Sequence, residues 1–181
     1  QNYNLVWDDV QNELDQMELN DSTNRETAAA RKYFISMFGK DFIRRNSGVI
    51  NAALDYGYAI LLSAFNREIA VNGYLSYLGI HHSQENQFNL GSDLMEPFRP
   101  FVDYWVKAHE NIDEFTPDIK FGLVELLSLE IKFNGRKTLL SNAITVYVRD
   151  CLRFLSGEID KIKIEMELTD EVPNDAINDN V

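Results

Sequence analysis

The chain has 181 residues, 45% of them hydrophobic, with 17 Lys and Arg against 29 Asp and Glu and a single cysteine. That length suits one domain with a sizeable core, and the 9 Gly and 4 Pro exclude a collagen-like or Pro/Gly-rich chain. Cys151 alone cannot close an internal disulfide, no apolar run reaches the about 18 residues of a membrane span, and the N-terminus lacks a signal-peptide pattern. A cytoplasmic chain with no membrane partner is the expectation. Taken as one number, the net charge of −12 argues against a nucleic-acid partner.

Along the chain that charge is uneven. Residues 1–22 hold six acids and no Lys or Arg, and residues 164–181 hold six more acids, again with no Lys or Arg. The body between them has 17 acids and 17 bases and is neutral. Within it, residues 23–45 carry Arg25, Arg31, Lys32, Lys40, Arg44 and Arg45 against Glu26 and Asp41, a local +4.

The pattern predicts an all-α fold with one small β-hairpin. Leu5, Val6, Val10, Leu14, Met17 and Leu19 recur about three or four apart and predict an acidic amphipathic helix over 4–20. A second helix is expected from Thr23 to Gly39, where the glycine ends it. A third runs from about Val49 to Leu78, so apolar around DYGYAILLSAF that burial on most sides is expected, and Gly79 ends it. Residues 80–91 read as a polar loop. Ser92 caps a helix over about 93–110, which Pro97 and Pro100 bend or break. A helix over 117–129 follows, then two strands about Asn134-Gly135, a strong type I′ hairpin signal. A last helix is expected over 141–167 and a disordered acidic tail over 168–181.

Three places concentrate chemistry: Glu26 in the basic segment, His81-His82 in the loop, and Asp93 with Glu96 on the next helix. Asp93 and Glu96 lie at i, i+3 and so share a helix face. One histidine with carboxylate oxygens suits Mg²⁺ or Mn²⁺. Each residue also has a plainer reading. Thr23-x-x-Glu26 is a capping box, Asp93 and Glu96 at a helix start are favoured by the dipole, and a histidine in a polar loop is usually solvated. No Gly-rich phosphate loop, HExxH, CxxC or GxSxG is present.

Three longer strings, TNRETAAARKYFISMFGKDFIRR, NAALDYGYAILLSAFNREIAVNGYLSYLGIHH and NQFNLGSDLMEPFRPFVDYWV, resemble the helical catalytic domain of the CRISPR-associated spacer-acquisition integrases, the Cas-one family, most of all its type II variety. The resemblance runs from about Asn20 to about Ser156, with the motifs in the family's order. It implies metal ligands at Glu26 of the NRE motif, His82 of the G-hydrophobic-x-His motif and Glu96 of the DLMEPFR motif. A register slip of one residue would place His81 there instead. Asp93 is implied as an auxiliary ligand. The implied reaction is metal-assisted attack of a DNA 3′-hydroxyl on a phosphodiester of the CRISPR repeat, with Mg²⁺ or Mn²⁺ as cofactor. The same site would serve endonuclease chemistry, with water as nucleophile.

Arg25, Arg31, Lys32, Arg44, Arg45 and Arg99 are the implied contacts to double-stranded DNA, with Arg67 a further candidate and Arg25 and Arg99 the strongest. The implied partners are DNA, a second copy in the full-length family, and the small ferredoxin-like adaptation subunit. The resemblance also implies a β-rich N-terminal domain in the family, which residues 1–19, read as one acidic helix, are not expected to supply. The expected organisation is therefore a linker-like acidic helix over 1–20, a metal-dependent catalytic domain over 21–167 and the tail. Two rival readings remain open: a non-catalytic helical interaction module of the adaptation complex, and an unrelated helical phosphohydrolase.

Overall fold

A computed structural model describes residues 8–16, 25–77, 79–80 and 88–169, and the chain divides between Asn51 and Ala52 into two units. In the first, helix α1 (Asp8–Asp15) packs on helix α2 (Arg25–Phe38). Val10, Ala29 and Met37 are buried. Glu13 on α1 accepts Arg25 Nη1 at 2.8 Å and Lys32 Nζ at 2.6 Å. The predicted C-terminal glycine is in place: Gly39 has φ +99°, open to glycine at no steric cost. Beyond it the chain turns under a cluster of Phe34, Phe38 and Phe42, with Phe38 and Phe42 centroids 4.8 Å apart. Asn51, buried, donates through Nδ2 to Ile43 O and Asn46 O, 2.9 Å each, and so fixes this turn.

Helix α3 (Val49–Val71) starts at the end of the first unit and forms the core helix of the second. Leu54, Leu61, Phe65 and Ile69 are fully buried. Asp55, Ala59, Ser63 and Arg67 form an exposed stripe at spacings of four, so burial is less complete than the apolar run predicts. The helix also ends earlier than the sequence pattern implies. Gly73 takes φ +82° and the Tyr74 N–H reaches back to Ile69 O, a six-to-one closure that satisfies an end carbonyl. Asn72-Gly73 is therefore the stop signal, and Gly79 lies in the following irregular segment.

Helix α4 (Asn89–Met95) begins before Ser92, which sits inside it rather than capping it. A 3-10 turn over Glu96–Phe98 then leads into helix α5 (Arg99–Ala108). The break falls where Pro97 and Pro100 were expected to place it. Helix α6 (Pro117–Glu125) has Thr116 as its cap, its hydroxyl accepting the Ile119 N–H at 3.4 Å, and Pro117 at the first position. Strands β1 (Glu130–Phe133) and β2 (Arg136–Leu139) form the expected hairpin, with Asn134 at φ 50° and Gly135 at φ 83°, the two positive values of a type I′ turn.

Helix α7 (Leu140–Leu155) buries Leu140, Ala143, Ile144, Tyr147, Val148, Cys151 and Leu152, a clean helical stripe. Its expected extension to 167 does not form. Gly157 takes φ +77° and the Glu158 N–H closes onto Arg153 O at 2.9 Å. The alternating residues that follow return as strand β3 (Met166–Leu168), which pairs antiparallel with β1 and completes a sheet of order β2-β1-β3. The fold is mainly α-helical with this small sheet. Most of the expected acidic tail lies outside the described residues. Among those residues no helix is long and apolar enough to cross a membrane.

An aromatic knot joins α3, the 3-10 turn and α7: Phe65 meets Phe98 edge-on at 5.2 Å, and Phe98 lies 5.3 Å from Tyr147. Gly57 on α3 faces Val102 of α5 so closely that a Cβ there would collide with the valine methyl groups. Gly57→Ala sets a helix-propensity gain of about 1 kcal/mol against an overpacking cost of about 1–3 kcal/mol. The packing term wins, because Val102 is fully buried and branches next to its own backbone. The expected outcome is a loss of about 1 kcal/mol in denaturant unfolding at unchanged m-value. A neutral or stabilised variant would show the helices free to separate there.

Candidate active site around Asp93, Glu96 and Arg99

Three of the sequence-predicted residues come together on one short stretch of the second unit. Asp93 lies in α4, Glu96 opens the 3-10 turn and Arg99 opens α5. Glu96 is exposed, and Arg99 Nη1 stands 3.4 Å from its Oε1. Asp93 is half-buried, and its Oδ2 accepts the backbone N–H of Ile80. Two further bonds tie the same stretch of chain to the start of α4. Asn89 Nδ2 donates to Tyr77 O and the Leu90 N–H donates to Ser76 O, both at 3.1 Å. Asn89 is buried, so losing this bond would leave a costly unsatisfied amide.

His81 and His82 lie outside the described residues, as does Thr23 of the suggested capping box. Glu26 stands exposed in the first turn of α2, in the first unit. Among the described residues no three His, Cys, Asp or Glu side chains form a group able to hold a metal ion. What those residues supply in one place is two carboxylates, one of them engaged with Ile80, and one guanidinium.

The predicted DNA-contacting cations fall into distinct environments. Arg25 and Lys32 are engaged by Glu13, a carboxylate of the acidic helix itself. Arg44 Nη1 donates to Asn51 Oδ1 at 3.2 Å and its guanidinium lies 5.8 Å from the Phe34 ring centre. Arg67 pairs with its neighbour Glu68 at 3.2 Å. Arg31 and Arg45 are exposed.

Two residues with no part in the sequence reading stand behind Arg99. The Tyr58 hydroxyl of α3 donates to Asp103 Oδ1 of α5, and the Arg99 guanidinium lies over the Tyr58 ring, 4.8 Å from its centre. Asp103 is an acid inside the apolar run FVDYWV, and that misfit was the available signal. Tyr58 gave none, being one more aromatic in an apolar helix.

The family described as "CRISPR associated protein Cas1" matches residues 6–143. The chain is 35% identical over 158 residues to "CRISPR-associated endonuclease Cas1" of Neisseria meningitidis serogroup C, covering 84% of this chain and 51% of that protein. It is 34% identical over 159 residues to "CRISPR-associated endonuclease Cas1 1" of Francisella tularensis subsp. novicida, covering 77% of this chain and 49% of the relative. The chain thus spans about half the length of these curated relatives. Among solved structures, a chain of "Casposase bound to integration product" shares the fold with TM-score 0.70 and 22% identity, covering 90% of this chain and 55% of that one.

The ion pairs of Glu13 make a pH prediction. Lys32, then Arg25, hold its carboxyl below the usual carboxylate range through hydrogen bonds to the charged form. A lowered folded-state pKa contributes stability that is complete above the unfolded value and lost as pH falls through the folded one. Acidification below about pH 4 is therefore expected to loosen α1 from α2. Amide exchange along α1 should accelerate there, and Glu13→Gln should show the faster exchange already at pH 7. Equal protection at both pH values in the native chain would contradict this.

Proposed function

Because the chain belongs to the CRISPR-associated Cas1 family, we propose that it is the catalytic part of a metal-dependent DNA integrase and endonuclease that inserts new spacers at a CRISPR repeat. In this reading Glu26, His82 and Glu96 would hold a Mg²⁺ or Mn²⁺ ion, with Asp93 as an auxiliary group. The donor set fits such an ion: carboxylate oxygens and one imidazole, without thiolates. Glu96, exposed, meets a cation without a burial cost. The observation that carries the reading is the Asp93–Ile80 bond. Ile80 stands two positions before His82 in the sequence, at most about 7 Å of chain, and the bond ties Ile80 to α4, which leads into the turn that carries Glu96.

The reaction is a transesterification. A DNA 3′-oxygen forms a new bond to phosphorus, the bond from phosphorus to the repeat strand's own 3′-oxygen breaks, and the proton passes to the departing oxygen. A bound divalent ion would polarise the phosphoryl oxygen and favour the attacking alkoxide. Arg99, beside Glu96, orients the phosphate by charge-assisted hydrogen bonding. Arg25, Arg31, Lys32, Arg44 and Arg45 add phosphate contacts that are insensitive to base sequence and sensitive to salt. In the whole protein a second copy and the small ferredoxin-like subunit complete the assembly.

His82→Ala and Glu96→Ala, each in the full-length protein, are expected to lower Mn²⁺-dependent joining of a 3′-hydroxyl DNA end by at least about a hundredfold. Undiminished joining by either variant would reject that residue as a ligand. Asp93 separates two roles. Asp93→Asn keeps an oxygen to accept the Ile80 N–H, whereas Asp93→Ala does not. An anchoring role predicts a loss of metal affinity of about 10–100-fold in the alanine variant and a much smaller one in the asparagine variant. Equal losses would make Asp93 a direct ligand.

A further inference from the structure

The side chains behind Arg99 form a coupled set within the second unit. Tyr58 is 8% exposed and Asp103 3% exposed, and they are joined by the hydroxyl-to-carboxylate bond. A buried Asp–Tyr pair adds little net stability compared with an apolar pair of the same shape, because both groups must leave water. What it supplies is position: the hydroxyl end of the ring is tied to α5, so the side chain cannot swing away from α5 without breaking the bond. The close approach of Gly57 to Val102, the neighbours of Tyr58 and Asp103 in sequence, brings α3 and α5 near enough for the bond to form. On the ring's face rests the Arg99 guanidinium, at 4.8 Å. Its Nε is buried and has no hydrogen-bond partner among the described residues, while Nη1 faces Glu96 at 3.4 Å. The ring therefore restrains Arg99 where few hydrogen bonds do.

We infer that Tyr58 and Asp103 are positioning residues of the DNA-phosphate site: Asp103 fixes the Tyr58 ring, and the ring holds the Arg99 guanidinium beside Glu96, ready to receive a phosphate. An arginine on a rigid aromatic platform loses less freedom when it binds a phosphate, because part of the ordering is complete beforehand. The inference rests on the proposed role of Arg99 as a phosphate contact. Neither residue touches the DNA in this scheme. Both act through Arg99.

The test is a double-mutant cycle on binding of a fluorescein-labelled DNA duplex by the intact protein, titrated at several salt concentrations. Arg99→Ala should weaken binding about tenfold and flatten the salt dependence by about one phosphate contact. Tyr58→Phe, which keeps the ring but loses the bond to Asp103, should weaken binding severalfold. In the Arg99→Ala background it should add nothing. An equal, additive loss in that background would mark Tyr58 as merely structural and overturn the inference. So would full-strength binding by Tyr58→Phe when Arg99→Ala is weakened. Full-strength binding by Arg99→Ala would instead remove the phosphate-contact reading, and the inference with it. If the tyrosine variant does not fold, the wild-type protein still decides. The Arg99 side-chain signals should be ring-current shifted in the free protein and should move on DNA addition. Unshifted signals that ignore DNA would overturn the inference.

Discussion

The close approach of α3 to α5 is the constraint on which the second unit depends. Gly57 removes the Cβ that would hold the helices apart, and Val102 fills the space. Phe65 and Phe98 then meet edge-on, and Tyr147 joins them from α7. Because Phe98 ends the 3-10 turn, this apolar knot fixes the point from which Glu96 and Arg99 project. Packing decides where the charged groups stand, and the polar bonds then refine their directions. The order of magnitudes agrees: burying a large side chain contributes about 1.5–3 kcal/mol, whereas an exposed ion pair such as Arg99–Glu96 contributes about 0–1 kcal/mol.

Electrostatics along this chain is local rather than global. A net charge of −12 describes an average over an acidic start, a neutral body and an acidic end. In the first unit the acidic helix answers the basic one directly, through Glu13 on Arg25 and Lys32. DNA phosphate approaching those two cations meets an internal carboxylate already in place, and exchange of one anion for another costs the ion pairs before any are gained. Arg99 differs: among the described residues it rests on a neutral ring and stands 3.4 Å from Glu96.

Much of the fold was legible because its signals are local. Asn134-Gly135 dictates its own turn, Pro97 and Pro100 break their own helix, and Gly39 stops α2. The misread ends have local causes too, but weaker ones competed with stronger patterns. Asn72-Gly73 stops α3 within an apolar run that points onward, and Ser156-Gly157 stops α7 ahead of residues with good helix formers among them. The end of the alternation that starts at Lys161, Met166–Leu168, became a strand because β1, more than thirty residues earlier, offered it an edge. For the site, motifs supplied residue identities and left geometry open. The bond from Asp93 to Ile80 and the bond from Tyr58 to Asp103, 45 residues apart, are tertiary facts with no sequence period.

Family membership and the clustering of Asp93, Glu96 and Arg99 lead to one central claim, that Glu26, His82 and Glu96 bind a single divalent ion. Titration calorimetry with Mn²⁺ on this chain tests it most directly, without DNA and without the rest of a larger assembly. One site per chain in the native protein, lost on Glu26→Ala and again on Glu96→Ala, is the predicted result. No Mn²⁺ binding by the native chain, or binding that survives both substitutions, would contradict it and favour a non-catalytic helical module.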